Sequence, residues 1–149
     1  MSQTDWNQLR ELACERRDTL GLRLAEAATV RDAARQKLEM LLDYRNEYDS
    51  RLAQSTNDGI DAEKLRSYRT FLANLERAID QQMQAVSTAQ QRVADAQALW
   101  RGEQRQVDSF RILDQRQQAQ SARAAGRIEQ KLTDEYATRG LAAIAGVAD

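Results

Sequence analysis

Proline is absent from all 149 residues. At an average usage of about 5% roughly seven would occur in this length, so little of the chain is left to turns and loops. Histidine is absent as well, which removes the commonest general base and the commonest transition-metal ligand together. The lone Cys14 permits no internal disulfide and no cysteine metal cluster, and it suits a reduced, cytosolic setting. No run approaches the roughly 18 apolar residues of a membrane span. The opening Met-Ser-Gln-Thr-Asp-Trp has neither the basic nor the apolar region of a secretory signal, and the expected location is the cytoplasm. An excess of one charge is missing too: 22 basic and 23 acidic residues leave a net charge of −1, without the basic footprint of a nucleic-acid binder. Gly-rich phosphate loops, Ser-His-Asp sets and metal-spaced clusters do not occur. Acidic pairs such as Glu11 with Glu15 or Glu76 with Asp80 read as solvated helix faces. The sequence therefore predicts no catalytic residue, no metal ligand and no cofactor.

What the chain has is Ala, Arg, Gln, Glu and Leu, the composition of long solvent-exposed helices. Arg outnumbers Lys by 19 to 3, which favours planar hydrogen bonding at surfaces. Positions 65, 72, 79, 86, 93, 100 and 107 read Leu, Leu, Ile, Val, Val, Trp and Val. Only a long helix that keeps one seam against another helix sets such residues on a common line. Three residues further on, Tyr68, Leu75, Gln82, Ala89, Ala96, Glu103 and Phe110 form a weaker second row. A two-helix coil of this kind encloses no pocket from which water could be excluded, and an enzymatic role is not expected.

The helical pattern breaks once, at Ser55-Thr56-Asn57-Asp58-Gly59-Ile60-Asp61. Asn57, Asp58 and Gly59 suit a helix end and a turn, while Asp61 suits the N-cap of a second helix. With Asp61 there, Ile60 and Leu65 take the positions of a hydrophobic staple. The first helix is expected over residues 5–54, the loop over 55–61, the second helix over 62–139, and a flexible tail over 140–149. The first helix carries its own seven-step line: Trp6, Ala13, Leu20, Ala27, Ala34, Leu41 and Tyr48. Leu24, Leu38 and Leu52 widen that line, and Arg31 and Arg45 interrupt the widening row. So short a loop folds the helices back antiparallel. The fold class is all-α, a single long antiparallel two-helix coiled-coil hairpin over 1–139.

The arms are unequal, roughly 75 Å against 115 Å at 1.5 Å per residue. Residues 114–139 are therefore expected to lack an internal partner. There the seam fades into glutamines, and apolar spacing resumes at Ala124 or Ala125, Ile128, Leu132 and Tyr136. An isolated helix of that size is marginal in water, so this end is expected either to fray or to be held by another protein, with Arg116, Arg123 and Arg127 available to that partner. Near the turn, Phe71 falls beside the seam. With Leu75, Ala78 and Gln82 it makes a second stripe, continued across the hairpin by Leu41, Tyr44 and Tyr48.

The segments Leu38-Glu39-Met40-Leu41-Leu42-Asp43-Tyr44-Arg45-Asn46-Glu47-Tyr48 and Tyr68-Arg69-Thr70-Phe71-Leu72-Ala73-Asn74-Leu75-Glu76-Arg77-Ala78-Ile79 go beyond generic heptads. Together with Gly59-Ile60, Trp100-Arg101, Leu113-Asp114-Gln115-Arg116 and Asp134-Glu135-Tyr136-Ala137-Thr138-Arg139, they give the chain a pattern that resembles the FliJ family. That family is the soluble coiled-coil component of the bacterial flagellar type III export apparatus, and the resemblance covers nearly all of residues 9–139. It implies a hairpin similar to the coiled-coil part of the rotary ATP synthase γ subunit. One end would insert into the hexameric export ATPase and stimulate it, the chain would link that ATPase to the membrane export gate, and vacant export chaperones would be escorted. Carried over, the gate-binding cluster is Leu41, Tyr44, Tyr48, Phe71, Leu75, Ala78 and Gln82, with Gln82 and Lys37 departing from the best-known pattern. The ATPase-binding set is Arg116, Arg123, Arg127, Ile128, Leu132 and Tyr136. The expectation is a protein that is monomeric when free and cytoplasmic, held peripherally at the inner membrane at the flagellar base. Other readings are a holdase-type chaperone, a coil that homodimerises through its overhang, and the equivalent stalk of a virulence-type secretion system.

Overall fold

The computed structural model describes residues 3–147. They form two helices, α1 over Gln3–Asp58 and α2 over Ala62–Val147, packed against each other with no strand among the described residues. At 1.5 Å per residue α1 is about 84 Å long and α2 about 130 Å.

Both helices are longer than their expected spans. α1 does not stop at residue 54 but runs through Ser55, Thr56 and Asn57 to Asp58. Thr56 accommodates this by donating its hydroxyl to the Leu52 carbonyl at 2.8 Å, a bond that keeps a turn-forming side chain inside a helix. The expected seven-residue loop 55–61 shrinks to Gly59, Ile60 and Asp61. Gly59 takes φ 87°, the one positive φ among the described residues; lacking a Cβ, it reverses the chain without strain. Asp61 is the N-cap, its Oδ1 accepting the Glu63 N–H at 2.7 Å and its carbonyl accepting the Leu65 N–H at 3.1 Å. At the other end, α2 continues past Arg139 to Val147, so the segment expected as a tail is helical as far as it is described. Leu141, Ala142, Ala143 and Ala145 are strong helix formers, and single glycines at 140 and 146 cost about 1 kcal/mol each without ending the helix. Residues 148–149 lie outside the described residues.

The chain divides into two compact units, each holding a piece of both helices. One, residues 17–102, contains the turn; the other joins residues 1–16 to 103–149.

In the turn unit the cross-helix pairs run antiparallel, from Tyr48 with Tyr68 and Phe71, through Arg45 with Glu76 and Ala34 with Gln82, to Gly21 with Trp100. Leu75, Ile79, Ala89 and Val93 are buried along the α2 seam, and Leu65, Leu72, Val86 and Trp100 are half-buried. The α1 line opposite, including Ala27, Ala34 and Leu41, is half-buried throughout. Its alanines let the backbones approach closely enough for the Gln82 side-chain amide to donate to the Ala34 carbonyl at 2.9 Å. Gly21 does the same for the indole: a Cβ at Gly21 would lie 3.4 Å from Trp100 Nε1. Arg31 and Arg45 stay in the α1 row by laying their methylenes along it and sending their charges outward, to Asp32 at 3.1 Å and Glu76 at 3.7 Å.

In the unit of the chain ends, Ala13 and Val107 are buried and the Trp6 and Phe110 rings meet at 6.2 Å, tilted by 40°. The seam continues one heptad beyond Val107, to Asp114. That residue falls within the expected unpaired overhang, yet it is only 5% exposed. Gln117, the next step of the second row, is half-buried. Pairing thus extends past Leu113 because a helix position at the seam buries whatever side chain it carries, polar or not. From residue 118 to residue 146 every side chain is exposed.

Candidate partner-binding surfaces

Two surfaces stand out, one in each unit. Beside the turn, the rings of Tyr48 and Phe71 stack at 4.2 Å with 30° between their planes, and Tyr68 meets Tyr48 edge-on at 6.3 Å and 62°. The cluster is a product of the sequence: Tyr48 ends the α1 line, Tyr68 opens the second row of α2, and Phe71 lies one position before seam residue Leu72. Phe71 is therefore pushed to the rim, 41% exposed, and Tyr44 one turn back on α1 is 50% exposed. Phe71 and Ser67 line two open hollows, one completed by Tyr48, Lys64 and Tyr68 and the other by Glu63, Arg66, Thr70 and Asn74. Arg51 closes over Tyr48, its guanidinium carbon 5.6 Å from the ring centre, and is itself held by Glu47 at 2.7 Å.

Of the seven residues expected in this cluster, Tyr44 and Phe71 are exposed, while Leu41, Tyr48, Ala78 and Gln82 are half-buried. Leu75 is not surface at all; it is 8% exposed, because it sits on the second row of the α2 seam. Gln82 spends its amide on the Ala34 carbonyl. The accessible stripe is thus narrower than its spacing suggests. Lys64 and Ser67, which line the first of these hollows, have no place in the expected set; Lys64 immediately precedes seam residue Leu65, a flank position that spacing alone could have identified.

The other surface is the overhang. Ile128, Leu132 and Tyr136 succeed one another at four-residue steps on one side of α2 and are 62%, 50% and 72% exposed. Arg116, Arg123 and Arg127 are exposed on the same stretch. The overhang's own bonds are local: Gln130 donates to Asp134 at 3.2 Å, and Thr133 and Thr138 donate to carbonyls one turn back. None of these bonds draws on the apolar stripe or on the arginines, and both stay open to solvent. Beyond Arg139 the helix is largely apolar, with Leu141 and Ile144 about 70% exposed.

At the root of the overhang, Asp114 Oδ2 lies 3.8 Å from Arg10 Nη1 and accepts the Gln118 amide at 3.3 Å, while its Oδ1 has no hydrogen-bond partner. A carboxylate left half satisfied in a seam costs stability, so this layer weakens the coil where pairing ends. Among the described residues no group of three or more His, Cys, Asp or Glu gathers as a metal site, and no helix is long and apolar enough to cross a membrane.

A family model described as "Flagellar FliJ protein" matches residues 2–143. The flagellar FliJ protein of Salmonella typhi is 33% identical over 131 residues, covering 88% of this chain and 89% of that relative. That of Escherichia coli (strain K12) is 31% identical over 131 residues, with the same two shares. The match spans both surfaces and leaves outside it only Met1 and the last six residues.

Proposed function

The chain belongs to the flagellar FliJ family, and on that premise we propose that it is a non-catalytic stalk of the flagellar protein export apparatus. The overhang of α2 enters the hexameric export ATPase and stimulates it. The aromatic patch beside the turn, centred on Tyr44, Tyr48 and Phe71 with Leu41 and Ala78 at its base, binds the membrane export gate and passes on vacant export chaperones. Leu75 and Gln82 act within the hairpin, supporting that patch from below. The protein is monomeric when free and works in the cytoplasm, peripherally attached at the flagellar base.

The observation that carries this reading is the continuous exposure of residues 118–146 in a well-formed helix. A helix of about thirty residues with no partner lacks the tertiary packing that supplies most helical stability in proteins, and a stripe of Ile128, Leu132 and Tyr136 in water is an unfinished seam. Closure by a ring of ATPase subunits buries that stripe and gives Arg123 and Arg127 acceptors in a partly dry setting, where charge-assisted hydrogen bonds are strongest. The test is ATP hydrolysis by the cognate export ATPase with and without this protein, together with co-purification of the two. Stimulation by the full chain, lost on removal of residues 118–149, is the expected result. Full stimulation by the truncated chain would return the protein to the escort role alone.

A further inference from the structure

The seam of the turn unit has two flanks, and they are built differently. One is closed by bonds between the helices, Arg35 to Gln90 at 2.8 Å and Arg45 to Glu76 at 3.7 Å. The other flank consists, on α1, of the residues that immediately precede the widening row Leu24, Arg31, Leu38, Arg45 and Leu52 and, on α2, of those that immediately precede the line from Leu65 to Trp100. On α1 these are Arg23, Val30, Lys37, Tyr44 and Arg51, a strict alternation of cation and apolar residue at seven-residue steps. On α2 they are Lys64, Phe71, Ala78, Ala85, Arg92 and Leu99. In an antiparallel pair the two rows face each other along one edge.

Neither row contains a single Asp or Glu, in a chain whose acids and bases otherwise balance. The edge is also open: Val30 is 54% and Leu99 60% exposed, comparable to Tyr44 and Phe71. Arg51 is occupied by Glu47. Arg23, Lys37, Lys64 and Arg92 enter none of the ion pairs or side-chain hydrogen bonds among the described residues.

We propose that this edge, over its whole run from the turn to Arg23 and Leu99, is the docking site for an acidic amphipathic helix of a partner protein. Three features select that occupant. Heptad spacing of exposed apolar residues on two facing helices is the geometry that a third helix fills. Unpaired cations alternating with those residues call for carboxylates beside the partner's apolar stripe. The cationic stripe is one residue wide on each helix, with Glu26 and Glu47 outside it on α1 and Asp95 outside it on α2. A flat anionic bilayer would meet those carboxylates, whereas a helix lying in the edge does not. The inference rests on the reading above that the Tyr44 and Phe71 end of this edge is a docking patch. It extends that patch along about 40 Å of helix and gives its partner a charge.

The probe is a synthetic helical peptide of about 35 residues, enough to span the edge from Lys64 to Leu99 at 1.5 Å per residue. It carries leucines at helical spacing flanked by Glu, and a twin carries Lys in place of every Glu. Binding to the full-length protein is read by fluorescence anisotropy at low and raised salt. The Glu peptide is expected to bind, with affinity falling as salt rises, and the Lys twin is not. Arg23→Glu with Arg92→Glu should weaken the Glu peptide at least about tenfold and create binding of the Lys twin, because the sign of the edge is reversed. Val30→Ala with Leu99→Ala should weaken the Glu peptide as well. These exposed positions leave the melting temperature in place, and the melt is recorded for each variant. Equal binding of both peptides, no binding of either, indifference to the charge reversal, or preferential binding of phosphatidylserine vesicles would each overturn the proposal. Capture of an export-gate fragment by the wild type and its loss in Phe71→Ala reads the gate assignment separately. If that loss occurs while charge reversal changes nothing, the patch stands and its extension along the edge fails.

Discussion

Residues 17–102 and residues 118–146 are the same kind of helix with and without a partner, and their side chains show it. In the first stretch every seam residue of α2 is buried or half-buried; in the second all residues are exposed, including Ile128, Leu132 and Tyr136. The difference is not one of helix propensity. Both stretches are rich in Ala, Arg and Gln, both contain no proline, and both are helical apart from the turn at 59–61. It lies in the length of α1, which is 30 residues shorter than α2 (56 against 86). Helix formation and burial are therefore separable in this chain. Where α1 runs alongside, apolar spacing makes a core; where it is missing, the same spacing makes an exposed surface. Asp114 marks the boundary, a seam position filled by a carboxylate with one oxygen unbonded.

That contrast is most easily broken by removing the overhang. Deleting residues 118–149 should abolish stimulation of the export ATPase while shifting the thermal melt little, since none of the described residues lost is buried; a large drop in melting temperature would mean that the overhang belongs to the core after all. Next in size, Ile79→Ala should destabilise by about 2 to 5 kcal/mol, because Ile79 is 2% exposed and leaves a cavity. Phe71→Ala should cost only about 1 kcal/mol, mostly the ring pair with Tyr48, yet remove gate binding. Denaturant melts and pull-downs separate the two, and equal destabilisation would place Phe71 in the core. Arg123→Ala and Arg127→Ala should each weaken ATPase binding by about 1.5 to 3 kcal/mol if their hydrogen bonds form in a partly dry pore, without moving the melt. Smallest, Arg10→Ala should cost about 1 to 2 kcal/mol by stranding the Asp114 carboxylate, whereas Asp114→Leu should be neutral or stabilising. Destabilisation by Asp114→Leu would make the polar layer a structural requirement of the seam's end.

Much of this architecture is legible in the residues. The seven-step lines Leu65 to Val107 and Trp6 to Tyr48 name the seam, and Asp61 and Gly59 name the turn, because period and capping chemistry are local. The helix ends are less so: Ser55, Thr56, Asn57 and Asp58 have the composition of a loop but the last turn of α1 absorbs them, and only a single glycine is needed to reverse the chain. Asp114 is hidden for a related reason, since a polar residue ends an apolar pattern by eye while the helix geometry continues. Of the aromatic patch, the stripe of Phe71 and Tyr44 is readable from spacing, but the burial of Leu75 and the bond from Gln82 to Ala34 depend on which helix lies opposite. The cationic edge needs the antiparallel pairing before its two rows can be seen as one surface.

Native-state hydrogen exchange on the full-length protein, alone and bound to the export ATPase, tests the central separation of core from unfinished seam most directly. Free, amides of residues 118–147 should exchange rapidly, as a helix without tertiary contacts opens locally, while those around Ile79 and Val93 exchange only on global unfolding. On binding the ATPase, protection should appear in 118–147 and stay unchanged in 17–102. Strong protection of the overhang in the free protein, or no gain there on binding, would contradict the account.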